Sequence, residues 1–172
     1  MKTSYYANLK SIDQQQYIPV AISGDEGKLV GFEGRARRDL SPYYFFKKWK
    51  EKEVEIENAY EDKSLSKEEY RKLKKTNEDA YIKKFYQSVL KPLDPKAVYK
   101  DLGENAILLC FETPTEFCHR FLIAGWLELN LGIKIDELGF ENDKSVIENK
   151  ERLKNEIKKY MQKENLMGKE NE

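Results

Sequence analysis

The chain has few of the residues that usually carry catalysis, metal binding and covalent cross-links. Its 172 residues include two cysteines, one histidine and six arginines, against 25 lysines. Two cysteines in a chain of this length exclude the disulfide framework that holds small secreted domains together. We therefore expect both cysteines to be reduced thiols in a cytoplasmic protein.

The sequence also lacks excess charge of either sign and long apolar runs. Its 31 basic residues balance 31 acidic residues, so the chain as a whole does not attract nucleic acid or an anionic membrane. No apolar run approaches the roughly 20 residues of a membrane span, and the first residues do not lead into a signal-peptide core. We predict no membrane partner, and a nucleic-acid partner would need a local basic patch.

The order of apolar segments predicts a single α/β domain with a small, mostly parallel sheet flanked by helices. Residues 106–111 are continuously apolar, as in a central strand covered on both faces. A helix signal follows, Gly132 ends that helix, and residues 133–135 indicate a further strand. This order is typical of a right-handed βαβ unit with parallel strands. Two earlier strands are expected at 5–12 and 17–22.

Charge and helical periodicity divide the chain into two parts. Residues 1–140 are predicted to form the α/β domain, which includes a charged helical segment at 43–90. Residues 141–172 are predicted to form a charged terminal helix with one narrow apolar stripe. A frayed tail is expected at 164–172, because nothing in its sequence would hold it against the core.

The densest group of reactive side chains lies where the central strand meets the next helix. Both cysteines are there, and Cys118, His119 and Arg120 are consecutive, with the only histidine at their centre. In α/β folds, sites lie at the carboxyl ends of strands that lead into helices. The catalytic candidates are Glu112, His119 and Cys118. Arg120 is a candidate for binding a phosphate or a carboxylate.

The register of this helix decides what Cys118 can do. With Thr113 as the N-cap, Pro114 takes the first helical position and Glu116 completes a capping box. Cys118 then lies in the second turn and is a small buried hydrophobic residue. With Thr115 as the N-cap, Cys118 lies near exposed amide donors, which lower a thiol pKa and favour a nucleophile. We expect the first register, because two signals support it.

Each of these side chains also has a structural interpretation. His119 could be a boundary residue bonded to a backbone carbonyl, and Arg120 could pair with Glu116 one turn earlier. A metal site made by Cys110, Cys118 and His119 is disfavoured for two reasons. Adjacent side chains diverge on a helix, and the spacing C-x7-C-H is not a usual zinc pattern. The sequence therefore predicts no metal and assigns no cofactor.

A second candidate element is the glycine-flanked basic loop at residues 31–38. Half of the arginines, Arg35, Arg37 and Arg38, fall within four residues. The planar guanidinium suits bidentate binding of phosphate or carboxylate, and the glycines let a ligand approach the backbone. The alternative is a solvated loop whose arginines pair with nearby acids. If this loop and Arg120 converge at the carboxyl ends of parallel strands, they form one anion pocket.

Part of the chain resembles a known family, the domain of unknown function 488 proteins of bacteria, archaea and phages. The resemblance is carried by residues 108–127, which read L-L-C-F-E-T-P-T-E-F-C-H-R-F-L-I-A-G-W-L. It is close across 93–138, and residues 3–42 more loosely resemble the shorter branch of the family. The resemblance implies an α/β sandwich with a Rossmann-like sheet but no particular reaction. Its matched polar positions are Cys110, Glu112, Cys118, His119 and Arg120.

These observations predict a pocket for an anionic, phosphate-bearing ligand, such as a nucleotide or a nucleic-acid end. Arg120 and the basic loop would bind the anion, and the catalytic candidates would act beside it. The alternative is a non-catalytic module that contacts nucleic acid or protein through the basic loop and the aromatic residues after it. Loss of function would concentrate at Glu112, His119 and Arg120 in an enzyme, but would spread over residues 35–50 in a binding module.

Overall fold

Five parallel strands form the sheet in the computed structural model, which describes residues 1–169, with side chains to residue 163. The strands are β1 (Lys2–Tyr5), β2 (Ile18–Ala21), β3 (Arg35–Ala36), β4 (Ala106–Cys110) and β5 (Asp136–Glu137). Their order in the sheet is β3-β2-β4-β1-β5, and every pair is parallel. This confirms the predicted α/β fold, in which β4 is the central strand and β5 is a parallel near neighbour.

Within residues 1–169, five helices accompany this sheet. They are α1 (Tyr43–Glu61), α2 (Lys67–Phe85), α3 (Pro95–Leu102), α4 (His119–Leu131) and α5 (Lys144–Lys169). α2 begins with a capping box formed by Ser66 and Glu69, and it continues into a π-helical turn at Tyr86–Leu90. The segment predicted to be helical at 43–90 is therefore confirmed as a pair of helices.

The two faces of the sheet are covered in different ways. All five residues of β4 are buried, as the unbroken apolar run predicts. Ala106, Leu108 and Cys110 belong to the larger core, which the helices share. Ile107 and Leu109 belong to a smaller cluster on the opposite face. The helices thus pack mainly on one side, and the side chains of β4 alternate between the two clusters.

The first strand is shorter than the sequence predicts. A strand is expected at 5–12, but β1 ends where a 3₁₀-helix begins at Tyr6–Ser11. Tyr6 and Ile12 are buried in the smaller cluster, and Leu9 packs against it. These three side chains recur every third residue, the repeat of a 3₁₀-helix, so one side of the segment lies on the sheet. In a segment this short, that spacing is easily mistaken for the alternation of a strand.

α4 is the most buried helix, and it contacts α5 closely. Every residue from His119 to Glu128 is buried. A Cβ atom at Gly125 would lie 2.9 Å from the Cα of Lys154, so a larger residue there would push α5 away. Gly125 therefore lets α4 and α5 approach each other closely. Gly132 ends α4 in the left-handed conformation, with φ of 67°.

The terminal helix has the predicted apolar stripe. Val146, Leu153 and Ile157 are all buried in the larger core. The backbone of α5 continues to Lys169, and the rest of the tail predicted to fray, residues 170–172, lies outside the described residues. Among the described residues, no helix combines the length and the apolar character that crossing a bilayer requires.

Candidate functional site

A cleft of about 370 Å³ opens at the carboxyl ends of β2 and β4. The chain leaves β2 towards β3 on one side and leaves β4 towards β5 on the other. The two ends therefore flank the point where the strand order reverses, which is where open α/β sheets bind ligands. The walls come from the loop after β2, the end of β4, and the first turns of α1 and α4. Their polar side chains include Ser23, Asp25, Tyr43, Lys47, Glu112 and His119.

Both cysteines and the only histidine meet at the floor of this cleft. Cys110 is the last residue of β4, Cys118 is the N-cap of α4, and His119 is the first residue of that helix. Nδ1 of His119 lies 3.6 Å from Sγ of Cys110 and 4.0 Å from Sγ of Cys118. The three side chains are at most 5% exposed. The structure thus brings one imidazole and two thiols into contact inside the protein.

The start of α4 differs from both registers that the sequence offers. Neither Thr113 nor Thr115 is the N-cap, because Cys118 holds that position with an extended backbone, φ −150° and ψ 141°. The predicted capping contact does exist, since the amide of Thr113 donates to the Glu116 carboxylate at 2.7 Å. It closes a separate turn, after which Phe117 packs against the larger core.

This start of α4 also explains how the adjacent residues Cys118 and His119 can reach the same point. Adjacent side chains diverge when both residues are helical. Cys118 is extended and only His119 is helical, so their side chains turn towards the same point beside Cys110. The ligand atoms of these three residues all lie within 4.8 Å of one another. Divergence of adjacent helical side chains therefore does not prevent Cys118 and His119 from sharing a metal ion.

The end of β2 orients the imidazole. Nε2 of His119 lies 2.9 Å from the carbonyl oxygen of Ile22. Because a carbonyl only accepts, Nε2 must carry the hydrogen and donate it. In the neutral ring, Nδ1 is then the nitrogen with a free lone pair, and it lies slightly nearer to the Cys110 sulfur than Nε2 does, at 3.6 Å against 3.9 Å. His119 is therefore bonded to a backbone carbonyl, as the structural interpretation predicts, but only through Nε2.

Burial and mutual contact shift the pKa of each group in the cluster. Burial raises the pKa of Glu112 to about 7, and its carboxylate accepts a hydrogen bond from Cys110 at 3.0 Å. Burial also raises the pKa of the Cys110 thiol. Burial opposes ionisation of Cys118 too, but the Cys110 hydrogen bond and the charge of Arg120 lower its pKa well below the usual value. Burial lowers the pKa of His119, but the adjacent Cys118 more than compensates, so the net direction is upward.

Arg120 lies inside the protein and away from the cleft. Its guanidinium is fully buried, with Nε 3.2 Å from Oε2 of Glu137 in β5 and Nη1 donating to the carbonyl of Glu112 at 2.8 Å. Nη2 of Arg120 and Oε1 of Glu137 are buried and have no hydrogen-bond partner among the described residues. Arg120 is therefore not exposed to bind a phosphate or a carboxylate from solvent, contrary to the sequence prediction. The alternative, an ion pair with Glu116, is also wrong, because the partner is Glu137.

The basic loop lies at the opposite edge of the sheet from this ion pair. Arg35 is part of the edge strand β3, and it contacts the Asp101 carboxylate at 2.6 Å. Arg37 pairs with Asp39 at 2.7 Å and also with Asp101. Arg38 stacks on the ring of Tyr43, 3.8 Å from its centroid. The structure therefore does not join the loop to Arg120, and Arg35 and Arg37 follow the alternative of pairing with nearby acids.

The sequence pattern indicates the aromatic residues of α1 only as part of a binding surface, and not as a wall of the same cleft as Glu112 and His119. Tyr43 and Lys47 lie one helical turn apart after Pro42, which caps the helix. A helix start marked by proline, followed by an aromatic residue and a lysine at i and i+4, is the signal that could have indicated this wall. The loop after β2 contributes Ser23 and Asp25, whose site role is visible only once β2 and β4 are known to be neighbours.

No family model, no curated protein and no solved structure matches this chain. The resemblance to the domain of unknown function 488 family stays a prediction.

Proposed function

We propose that the protein is an enzyme that acts on a small phosphate-bearing molecule, such as a nucleotide, bound in the cleft. One observation carries the proposal. Glu112, Cys110 and His119 converge at the cleft wall where the strand order of the sheet reverses. Proton-transferring groups gathered at that point of an α/β sheet are typical of a catalytic site.

The reactive groups have distinct roles in this proposal. Glu112 follows the end of β4 and lines the cleft, so its carboxylate is placed to exchange a proton with a bound molecule. His119 also lines the cleft and is held by the Ile22 carbonyl. Cys118 does not line the cleft, and it acts on the ligand only through its neighbours. A reducing, cytoplasmic setting belongs to the proposal, because both thiols are free.

The phosphate part of the proposal rests on the α1 wall. The first turn of a helix has amide hydrogens without helical partners, and these favour an anion. Lys47 adds a positive charge on the same wall, and the rings of Tyr43 and Phe46 offer surfaces on which a base can stack. Asp25 and Glu112 would repel an anion elsewhere in the cleft. The phosphate is therefore placed against α1, with the reacting part of the molecule towards Glu112.

The test separates binding from turnover. The protein would be titrated with a panel of nucleotides and sugar phosphates, with heat release as the binding signal and phosphorus NMR as the turnover signal. Binding by Lys47→Ala should weaken about tenfold or more, while Lys48→Ala, an exposed lysine beside it that does not line the cleft, should bind as the unmodified protein does. Glu112→Gln should bind and fail to turn over. Equal losses in the two lysine variants would contradict the proposal.

A non-catalytic binding module is the second candidate, and the rim of the cleft favours it. Leu29 lines the cleft and is 83% exposed, and Tyr44, which follows the cleft residue Tyr43, is 94% exposed. Exposed aromatic and aliphatic side chains around an opening are typical of a contact surface. In this case Tyr44→Ala should reduce binding of single-stranded nucleic acid, and Glu112→Gln should have no effect on any function.

A further inference from the structure

We propose that Cys110, Cys118 and His119 bind one divalent zinc-like ion at the floor of the cleft. The proposal does not depend on the enzymatic function above, because metal uptake is measured without a substrate. Its starting point is composition. The chain has two cysteines and one histidine, and all three converge in one buried cluster.

The donor set matches the chemistry of zinc. Two thiolates and an imidazole are ligands that Zn²⁺ prefers, whereas Mg²⁺ and Ca²⁺ prefer oxygen. The charges also fit, because two thiolates neutralise a divalent ion in a place where an uncompensated charge would be costly. The neighbouring Arg120 does not upset this balance, since it is paired with Glu137.

Two of the three distances between the donor atoms are close to those of a tetrahedral site. With Zn–S about 2.3 Å and Zn–N about 2.0–2.1 Å, a tetrahedral arrangement separates sulfur from nitrogen by about 3.6 Å and the two sulfur atoms by about 3.8 Å. The observed separations from Nδ1 of His119 are 3.6 Å to Cys110 and 4.0 Å to Cys118. The two sulfur atoms lie within 4.8 Å of each other, so binding an ion would draw them together by up to about 1 Å.

The surroundings of the histidine fit a ligand as well. Histidines that bind a metal usually donate their other ring hydrogen to a carbonyl or a carboxylate, which fixes the ring. In this protein the Nε2 hydrogen of His119 is donated to Ile22, and Nδ1 is the ring nitrogen nearer to Cys110, at 3.6 Å against 3.9 Å for Nε2. The three ligands also come from rigid positions, the end of β4 and the first turn of α4. The C-x7-C-H spacing is unusual because a strand end and a helix start supply it, rather than two metal-binding turns.

The fourth coordination position faces the cleft. Cys110 and His119 line the cleft beside Glu112, and Cys118 lies behind them. Structural zinc sites have four protein ligands, whereas catalytic sites have three and leave one position for water or substrate. Three protein ligands and an adjacent carboxylate correspond to the catalytic kind. Glu112 lines the cleft beside this open position, so its carboxylate would lie next to a molecule bound there.

The experiment is a titration of the reduced, metal-free, full-length protein with Co²⁺ in the absence of oxygen. One equivalent should give the strong visible bands of tetrahedral cobalt and a thiolate-to-cobalt charge-transfer band, and Zn²⁺ should bleach both. Cys118→Ser and His119→Gln should lose affinity by more than about 100-fold, which exceeds the 10- to 100-fold typical of removing a hydrogen-bond partner of a ligand. Asp25→Asn, a carboxylate of the same cleft outside the cluster, should bind as the unmodified protein does.

Two results would overturn the proposal. The first is the absence of the charge-transfer band in the unmodified reduced protein, a measurement that needs no variant to fold. The second is cobalt binding that persists in His119→Gln, checked by circular dichroism to be folded. Lys47→Ala should take up cobalt normally even when it fails to bind phosphates. The metal site and the proposed enzymatic function can therefore fail separately.

Discussion

The two ends of α4 both bury charged groups, and they satisfy them differently. At the carboxyl end, Glu128 accepts hydrogen bonds from Lys150 at 2.7 Å, from Lys154 at 3.0 Å and from the amide of Ile135 at 2.8 Å. Each of its two oxygens thus has at least one partner inside the protein. At the amino end, Nη2 of Arg120 and Oε1 of Glu137 lack partners among the described residues, and the two thiols and the imidazole lie beside them in contact with one another.

This difference separates a structural role from a functional one. Glu128 and its lysines connect α4 to α5, and each carboxylate oxygen already has a protein partner. At the amino end, Nδ1 of His119 and the two sulfur atoms lie within 4.8 Å of one another, which is the arrangement from which the metal site is proposed. The buried atoms without partners, Nη2 of Arg120 and Oε1 of Glu137, belong to the neighbouring ion pair and not to this cluster. The carboxyl end of the helix therefore contributes to stability, whereas the amino end combines a buried ion pair with the candidate site.

The largest expected effect is at the Arg120–Glu137 pair. Arg120→Ala should destabilise the fold by about 3–5 kcal/mol, because it leaves a buried carboxylate without its charge partner. Replacing both residues with methionine should cost much less, since no buried charge then remains. Urea unfolding of the two variants measures the difference. A double variant as unstable as Arg120→Ala would show that packing, and not charge, accounts for the loss.

The second effect is at the opposite end of the helix. Glu128→Gln should destabilise the fold by about 2–3 kcal/mol, because it weakens hydrogen bonds to two ammonium groups. The loss should be smaller than at Arg120, since Lys154 is partly exposed and can be hydrated. Cobalt uptake should be unchanged, because Glu128 is outside the metal cluster. Reduced cobalt affinity in this variant would mean that the two ends of α4 are coupled.

The pH dependence of stability gives a further test of Glu128. Burial by itself would raise the pKa of this carboxyl, but Lys150, the Ile135 amide and Lys154 outweigh it and lower the pKa. A carboxyl with a lowered folded-state pKa stabilises the fold above its unfolded pKa of about 4.3, and the contribution is lost as the pH falls through the folded value. Acid unfolding curves of the unmodified protein and of Glu128→Gln should therefore converge below pH ~4. Parallel curves would contradict this assignment.

The sequence predicts the sheet and the position of the site because these depend on local patterns. The apolar run at 106–111 indicates a buried strand whatever surrounds it. Gly132 marks the end of the next helix because glycine adopts the left-handed backbone conformation of a helix C-cap without strain. The place of Cys118, His119 and Arg120 at a strand–helix junction follows from the order of these two elements.

The partners of the site residues depend on contacts that no local pattern contains. The bond from His119 to Ile22 links residues far apart in the chain, and the Arg120–Glu137 pair requires that β1 and β5 be neighbours. The start of α4 was misjudged for a related reason. Thr113 and Glu116 do form their capping contact, but the packing of Phe117 against the larger core separates that turn from the helix.

A smaller effect is expected at Cys118 in the metal-free protein. Cys118→Ser should destabilise the fold by about 1–3 kcal/mol, because a hydroxyl would be buried in a largely apolar place unless it finds a partner. Cys118→Ala removes the sulfur without adding a polar group and should cost less. Thermal unfolding compares the two. In the native protein Cys118 should also react slowly with iodoacetamide, since it is 2% exposed, whereas alkylation faster than in the unfolded chain would indicate an accessible nucleophile.

The smallest effect is expected at the basic loop, where Arg35 contacts Asp101 and the carboxylate is more than half exposed. An exposed ion pair gains little, because water competes for both charges, so a double-mutant cycle of Arg35→Ala and Asp101→Ala should give a coupling energy of about 0–1 kcal/mol. Added salt should reduce this coupling energy further.

The same variants also test the alternative that the protein is a non-catalytic binding module. If Arg35→Ala leaves stability intact and yet weakens nucleic-acid binding more than Lys47→Ala does, the basic loop, and not the cleft, is the contact surface. Unchanged binding in Arg35→Ala assigns Arg35 to the edge of the sheet, where its guanidinium serves to pair with Asp101.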